Sequence, residues 1–99
     1  MIQGTTPTHT FKMPLDISNI SKLRVSYAQN GQVVITKELS DFTVESDTIT
    51  TKLTQEDTLK FRGGVDVQIQ IRVLTSGGDS IASNVMRVSC GTILDRTVL

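Results

Sequence analysis

Residues 65–73 read Val65-Asp66-Val67-Gln68-Ile69-Gln70-Ile71-Arg72-Val73, with a β-branched residue at every odd position and a polar one at every even position. Successive side chains of a β-strand point to opposite faces, so this run predicts a strand with its odd residues in a core and its even residues toward water. Gly63-Gly64 releases the chain into it, and Ser76-Gly77-Gly78-Asp79 forms a tight turn after it. Residues 80–90 then return antiparallel, but with a change of phase. Ile81 and Ser83 alternate one way, Met86, Val88 and Cys90 the other, and a bulge near Asn84-Val85 would account for the switch.

The same theme extends upstream. Residues 8–13 set His9, Phe11 and Met13 against Thr8, Thr10 and Lys12, until Pro14 stops the pattern. Asp16 is placed to cap one helical turn through Ser18-Asn19, carrying Ile17 and Ile20 inward. Leu23, Val25 and Tyr27 share one face of the next strand. Asn30-Gly31 follows, the pair a type I′ hairpin turn favours because both central residues need positive φ. The return strand, 32–39, aligns Val33, Ile35, Lys37 and Leu39, so its end should lie at the sheet margin. Residues 42–45 and 48–53 form a second hairpin around Ser46-Asp47. Thr54 caps a short helix whose first turn carries Glu56 and Asp57, acids that suit the positive end of the helix dipole; it sets Leu59 and Phe61 against the sheet edge.

About seven strands at this spacing predict an all-β chain: a single immunoglobulin-like antiparallel β-sandwich with one short helical turn. The paired cysteines around a tryptophan of antibody domains are absent. The expected organisation is a flexible arm over 1–7, the sandwich over 8–90 and a tail over 91–99. Thr, Val and Ile make up a third of the 99 residues, as suits a pleated sheet. A chain of this mass should hide roughly 65% of its unfolded surface, enough for one modest core.

Composition also bounds function. Ten basic residues balance ten acidic ones, so no global field draws in nucleic acid or an anionic membrane. The Lys and Arg residues are scattered and the four aromatics do not accompany them, so no nucleic-acid partner is expected. Cys90 is alone, which rules out an intrachain disulfide. The N-terminus has neither a basic start nor an apolar h-region, and no apolar run approaches membrane-spanning length. A cytoplasmic site of synthesis, and no membrane partner, follow as expectations.

No residue set suggests catalysis. His9 is the single histidine and alternates in step with Phe11 and Met13, as a structural or rim residue would. Cys90 falls in phase with Met86 and Val88, as a small buried hydrophobe does. Gly77-Gly78 lacks the lysine and helix of a phosphate loop. Glu56-Asp57 is explained by the helix start, and Asp41, Glu45, Asp47 and Asp79 lack calcium-loop spacing. No catalytic residue, cofactor or metal ligand is expected.

Two surfaces are candidates for contact with a partner. The tail carries Ile93, Leu94, Val98 and Leu99 beyond the last strand; such aliphatics either pack back on their own domain or dock on a neighbour. The polar face Gln68, Gln70 and Arg72 is either solvated sheet or an interaction face.

A family resemblance narrows the role. It lies in Thr8-His9-Thr10-Phe11, the hairpin from Lys22-Leu23-Arg24-Val25 to Tyr27-Ala28-Gln29-Asn30-Gly31, the segment Leu53-Thr54-Gln55-Glu56-Asp57-Thr58-Leu59-Lys60-Phe61, and Val67–Val73 with Gly78 and Ser83. This pattern resembles small prophage-encoded proteins of gut Firmicutes. More loosely, it is similar to the N-terminal sandwich module of phage baseplate upper proteins. The resemblance implies a non-enzymatic structural or adaptor component of a phage particle (baseplate, tail or head accessory), present in the bacterial cytoplasm during assembly and then in the virion. Its implied partners are other phage structural proteins or further copies of itself. It implies no catalytic or ligand residues. The alternative is a carbohydrate- or surface-binding β-sandwich module.

Overall fold

A computed structural model of the chain describes residues 1–13 and 20–99. The expected cap at Asp16, with Ile17, Ser18 and Asn19, lies outside the described residues. Two antiparallel sheets pack face to face. One has the order β1 (Thr8–Lys12), β5 (Thr48–Lys52), β4 (Thr43–Glu45). The other has the order β3 (Gln32–Glu38), β2 (Ile20–Gln29), β6 (Val67–Thr75), with β7 (Ser80–Ala82) and β8 (Met86–Val88) both paired to the far side of β6. A 3₁₀ turn (Leu39–Asp41) and a short helix α1 (Gln55–Leu59) complete the regular structure among the described residues. The strand order is that of an immunoglobulin-like sandwich: β1-β5-β4 matches B-E-D, and β3-β2-β6-β7/β8 matches C′-C-F-G.

The turns form where their chemistry allows. Asn30 (φ 51°) and Gly31 (φ 77°) both take positive φ, and the strands they join pair in the register Gln29↔Gln32. Ser46 (φ 56°) turns the β4–β5 hairpin. Thr54 caps α1 through a reciprocal box: its Oγ1 accepts from Asp57 N–H, and its own N–H donates to Asp57 Oδ2, each at 3.1 Å.

The opening stretch behaves as its period requires from Val67 onward, while Val65 and Asp66 belong to the loop that follows Gly63-Gly64 and precede the strand. Val67, Ile69, Ile71 and Val73 are all buried, while Gln68, Gln70 and Arg72 face outward. Leu23, Val25 and Tyr27 of β2 join them from the neighbouring strand, and Ile49, Leu53 and Phe61 close the core from the other side. Each such aliphatic removed from water contributes about 1.5–3 kcal/mol before the entropy of ordering is subtracted.

The returning strand is broken where its phase changes. Arg72 pairs with Ala82 and Ile69 with Met86, so Gln70 and Ile71 stand opposite three residues, Ser83–Val85. The extra residue is the expected bulge. Ser83 fills the gap, its N–H donating to Ile71 O (2.8 Å) and its Oγ accepting from Ile71 N–H (3.0 Å).

A second irregularity was not legible. Tyr27 pairs with Ile35 but Ala28 with Val33, leaving Val34 as an extra residue in β3. That bulge moves Val33 out of the row shared with Ile35, and it ends 60% exposed. Val34 packs against the core in its place. Lys37 keeps the inward phase at the sheet margin and forms an ion pair with Asp57 of α1 (2.9 Å).

Candidate functional site

Two surfaces stand out, one at each end of β6. At its C-terminal end, residues of four neighbouring strands enclose an open depression of about 460 Å³, lined among others by Lys22, Arg24, Glu38, Leu39, Arg72 and Leu74. Sheet register explains the clustering. Arg24 stands opposite Arg72 on one side and Glu38 on the other. Lys22 and Arg24 alternate with buried Leu23 and Val25, which turns both cations outward. Three cations therefore face one carboxylate. Arg24 donates to Glu38 Oε1 at 2.9 Å, but both side chains are about 60% exposed, so the pair is weak and easily exchanged. Lys22 and Arg72 form no ion pair among the described residues. Leu39 and Leu74, both partly buried, give the depression an aliphatic component.

At the other end of β6, the tail meets α1 and the N-terminal segment. Ile2 and Gly91 form a parallel bridge, with Gln3 N–H donating to Gly91 O (3.1 Å) and Gly91 N–H to Met1 O (2.8 Å). Residues 1–3, expected as part of an arm, lie along the end of the last strand. Gln3 is buried: its Nε2 donates to Phe61 O, and its Oε1 accepts from Ile93 N–H at 3.2 Å. Gly63 fits only because it lacks a side chain, since a Cβ there would come within 2.8 Å of Thr92 Cα. Farther along, Arg96 donates to Leu59 O (2.6 Å), and the Gln55 amide grips the main chain of Leu99 through both its groups, at 2.7 and 3.0 Å.

These bonds hold the tail by the main chain of Ile93 and Leu99 and by the Arg96 guanidinium, and leave most of its aliphatic side chains outside. Leu94 is 102% exposed, Leu99 99% and Val98 46%; Ile93 alone of the four expected contact residues is partly buried, close to Gly4 and the arm. Asp95 lies between them, fully exposed. The Thr97 hydroxyl, and after it the Thr97 N–H that donates to Asp95 Oδ1 (2.9 Å), lower its pKa below the usual carboxylate value.

The face Gln68, Gln70 and Arg72 does not act as one unit. Gln68 Oε1 accepts from Gly31 N–H (2.9 Å) and Gln70 Nε2 donates to Ser83 O (3.0 Å), so both amides serve their own fold. Arg72 alone belongs to the basic depression. In the sequence Lys22 and Arg24 are two of the scattered charges; only the pairing of β2 with β6 and β3 reveals their convergence.

The remaining polar groups are structural. His9 Nδ1 lies 2.9 Å from the Tyr27 hydroxyl, and the rings stack at 5.6 Å. Burial, and secondarily the N-terminal ammonium, lower the His9 pKa, which favours a neutral imidazole. Burial, then the Asp57 charge, raise the Tyr27 phenol pKa. Burial likewise raises that of the Cys90 thiol. No group of three or more His, Cys, Asp or Glu that could hold a metal ion occurs among the described residues. Among them, too, no helix is long and apolar enough to cross a membrane.

No protein-family model matches the chain, and no curated protein matches it. A solved structure, the V domain of amphioxus IgVJ-C2, aligns with 94% of this chain and 97% of that one, at 16% identity and a TM-score of 0.39. The fold is assigned by the strand order itself.

Proposed function

We propose that this chain is a non-enzymatic structural or adaptor module of a phage or prophage particle, acting through protein–protein contacts. The observation that carries the contact role is the tail. Leu94, Val98 and Leu99 stand in water on a segment pinned by the Arg96 guanidinium on Leu59 O, by Thr97 N–H on Asp95 and by Leu99 N–H on Gln55, a costly arrangement unless a partner covers them. The particle context rests on the sequence resemblance described above. A glycan-binding sandwich would need an exposed aromatic platform, yet Tyr27, Phe42 and Phe61 are buried and Phe11 packs against the core.

The test is mass spectrometry of particles purified after prophage induction of the producing strain. Stoichiometric presence is expected, and copy number would point to head, tail or baseplate. Presence in the lysate with absence from particles would overturn the particle assignment. In parallel, Leu94→Ser/Leu99→Ser should reduce incorporation while leaving the fold intact; full incorporation of that variant would remove the tail from the contact.

A further inference from the structure

We propose that the basic depression is the receptor for the tail of a second copy of this chain, so that copies join head to tail. This rests on the protein-contact reading above and names the partner.

The chemistry of the two surfaces is complementary. The depression offers Lys22, Arg24 and Arg72 beside Leu39 and Leu74. The tail presents Leu94 and Asp95 side by side, an aliphatic side chain and a carboxylate, both fully exposed. Arginine is the cation best shaped for a carboxylate, because its planar fork can donate two parallel hydrogen bonds. Arg24 donates one hydrogen bond to Glu38, from a single nitrogen to a single oxygen, while Arg72 and Lys22 have no carboxylate partner among the described residues.

The tail cannot satisfy the depression of its own molecule. Thr92 is packed against Gly63, before β6 begins, whereas the depression is built at Arg72, Val73 and Leu74. At about 3.3 Å per residue, the strand from Val67 to Val73 alone separates them by roughly 20 Å. The ties from Gln55 and Leu59 further hold the tail at its own end. The long axis of the molecule measures 47 Å, with the donor surface toward one pole and the acceptor toward the other. A contact between unlike surfaces of identical chains propagates into a ring or an open filament instead of stopping at a dimer. Zero formal net charge means copies do not repel one another globally. Because the tail is already ordered by Gln3, Gln55 and Leu59, little conformational freedom is lost on docking.

Sedimentation velocity of the purified chain across concentration tests this. Concentration-dependent association is expected, weakening between about 50 and 500 mM salt as exposed charges are screened. Arg72→Asp, which spoils the receptor but keeps the tail, should weaken association at least ~10-fold. So should Asp95→Lys, which spoils the tail but keeps the receptor; Leu94→Ser tests the tail without removing the Asp95 to Thr97 bond. The decisive arm is mixing. Arg72→Ala and Asp95→Ala chains, which create no new opposite-charge pair, should together form a 1:1 dimer, since only one intact tail and one intact receptor remain. A wild-type chain that stays monomeric to ~1 mM, association indifferent to these substitutions, or no recovery on mixing would each overturn head-to-tail joining. Any of these results combined with stoichiometric presence in particles would overturn this inference alone; absence from particles with mixing recovered would overturn only the particle assignment.

Discussion

Replacing Asp57 by alanine would remove two supports at once. Asp57 Oδ2 accepts from Lys37 Nζ (2.9 Å) and from Thr54 N–H (3.1 Å), so one oxygen ties α1 to β3 and closes the helix cap. The Lys37 and Asp57 side chains are only 19% and 12% exposed. Breaking a fully buried pair costs about 3–5 kcal/mol because a charge is stranded. Here the ammonium sits at the sheet margin and can swing toward water, so roughly half that range applies. Loss of the cap contact adds about 0.5–1 kcal/mol. The total, about 2–3.5 kcal/mol, should lower the urea midpoint by roughly 1–2 M with an unchanged slope. Asp57→Asn keeps an oxygen for Thr54 and should cost less. Lys37→Met combined with Asp57→Asn should recover at least ~1 kcal/mol relative to the sum of the singles, since no charge is then left unpaired.

The same carboxylate sets an acid limb. Burial pushes the Asp57 pKa up, but the hydrogen bond from Lys37, those from Thr54 and the Lys37 charge outweigh it, leaving the carboxyl below its ordinary value. With the folded pKa depressed, the unfolded chain takes up its proton first as pH falls. The contribution is complete above about pH 4 and is lost from there down through the lower folded value. Asp57→Asn should flatten this limb. If Asp57→Ala shifts stability by less than ~0.5 kcal/mol, or the double substitution is additive, the pair contributes no net coupling and the reasoning fails.

Tyr27 is the single tyrosine and there is no tryptophan, so its ionisation can be followed alone by ultraviolet absorbance. Its raised pKa means stability is intact below about pH 10 and is lost as pH rises through the folded value; phenolate should appear together with unfolding, and an independent earlier titration would contradict its burial. Gly63→Ala must push Thr92 aside, so limited proteolysis within 92–99 should accelerate while stability falls by about 1–3 kcal/mol; an unchanged cleavage rate would show that the tail is not seated there. Ser46→Val, forcing a β-branched residue to positive φ, should cost about 1–2 kcal/mol in thermal unfolding, whereas Ser46→Gly should stay within ~0.5; equal effects would refute the turn argument. Cys90, 4% exposed with a raised thiol pKa, should react slowly with a thiol reagent until urea unfolds the chain, and rapid native reaction would place it at the surface.

Much of the fold was legible because it is encoded locally. The alternation, which holds as a strand from Val67 to Val73 with Val65 and Asp66 left in the preceding loop, the Asn30-Gly31 turn, the Thr54 cap and the phase change near Asn84 each need only neighbouring residues, and each appears in the structure. What escaped needs partners distant in sequence. Nothing next to Val34 marks it as a bulge; its place follows from the pairing of two whole strands. Gln3 and Gln29 look like surface residues in a polar arm and at a strand end. Both are buried, Gln29 because its amide donates to Arg62 O and Val65 O and accepts from Arg62 N–H, tying the loop before β6 to β2. Lys22, Arg24 and Arg72 are likewise unremarkable until β2 and β6 are in register. The tail was the exception in kind. Its aliphatics were plain in the sequence, but whether they turn inward depended on the Gln55 amide and the Leu59 carbonyl of α1, partners that no pattern reveals.

These distant contacts divide the molecule unevenly. Gln3, Gln29 and Thr58 are buried polar groups whose hydrogen bonds converge on the loop and helix at the start of β6: Gln3 on Phe61, Gln29 on Arg62 and Val65, Thr58 on Thr5. A buried amide left unbonded costs about 1–3 kcal/mol, so these groups enforce one arrangement of arm, helix and tail. At the other end of β6 the charged side chains are exposed and carry, among the described residues, a single weak ion pair, Arg24 to Glu38, whose arrangement can exchange with little loss. One pole is therefore rigid and presents apolar side chains, and the other is adaptable and presents cations. An isologous dimer would place like surfaces together, uncovering neither difference to advantage and setting cations against cations if the basic pole were used. Joining unlike poles instead matches the rigid element with the adaptable one, which is the arrangement that loses least entropy while bringing carboxylate to arginine. The asymmetry arises from the register of β6 with its neighbours, so it is a property of the fold itself as much as of the residues that decorate it.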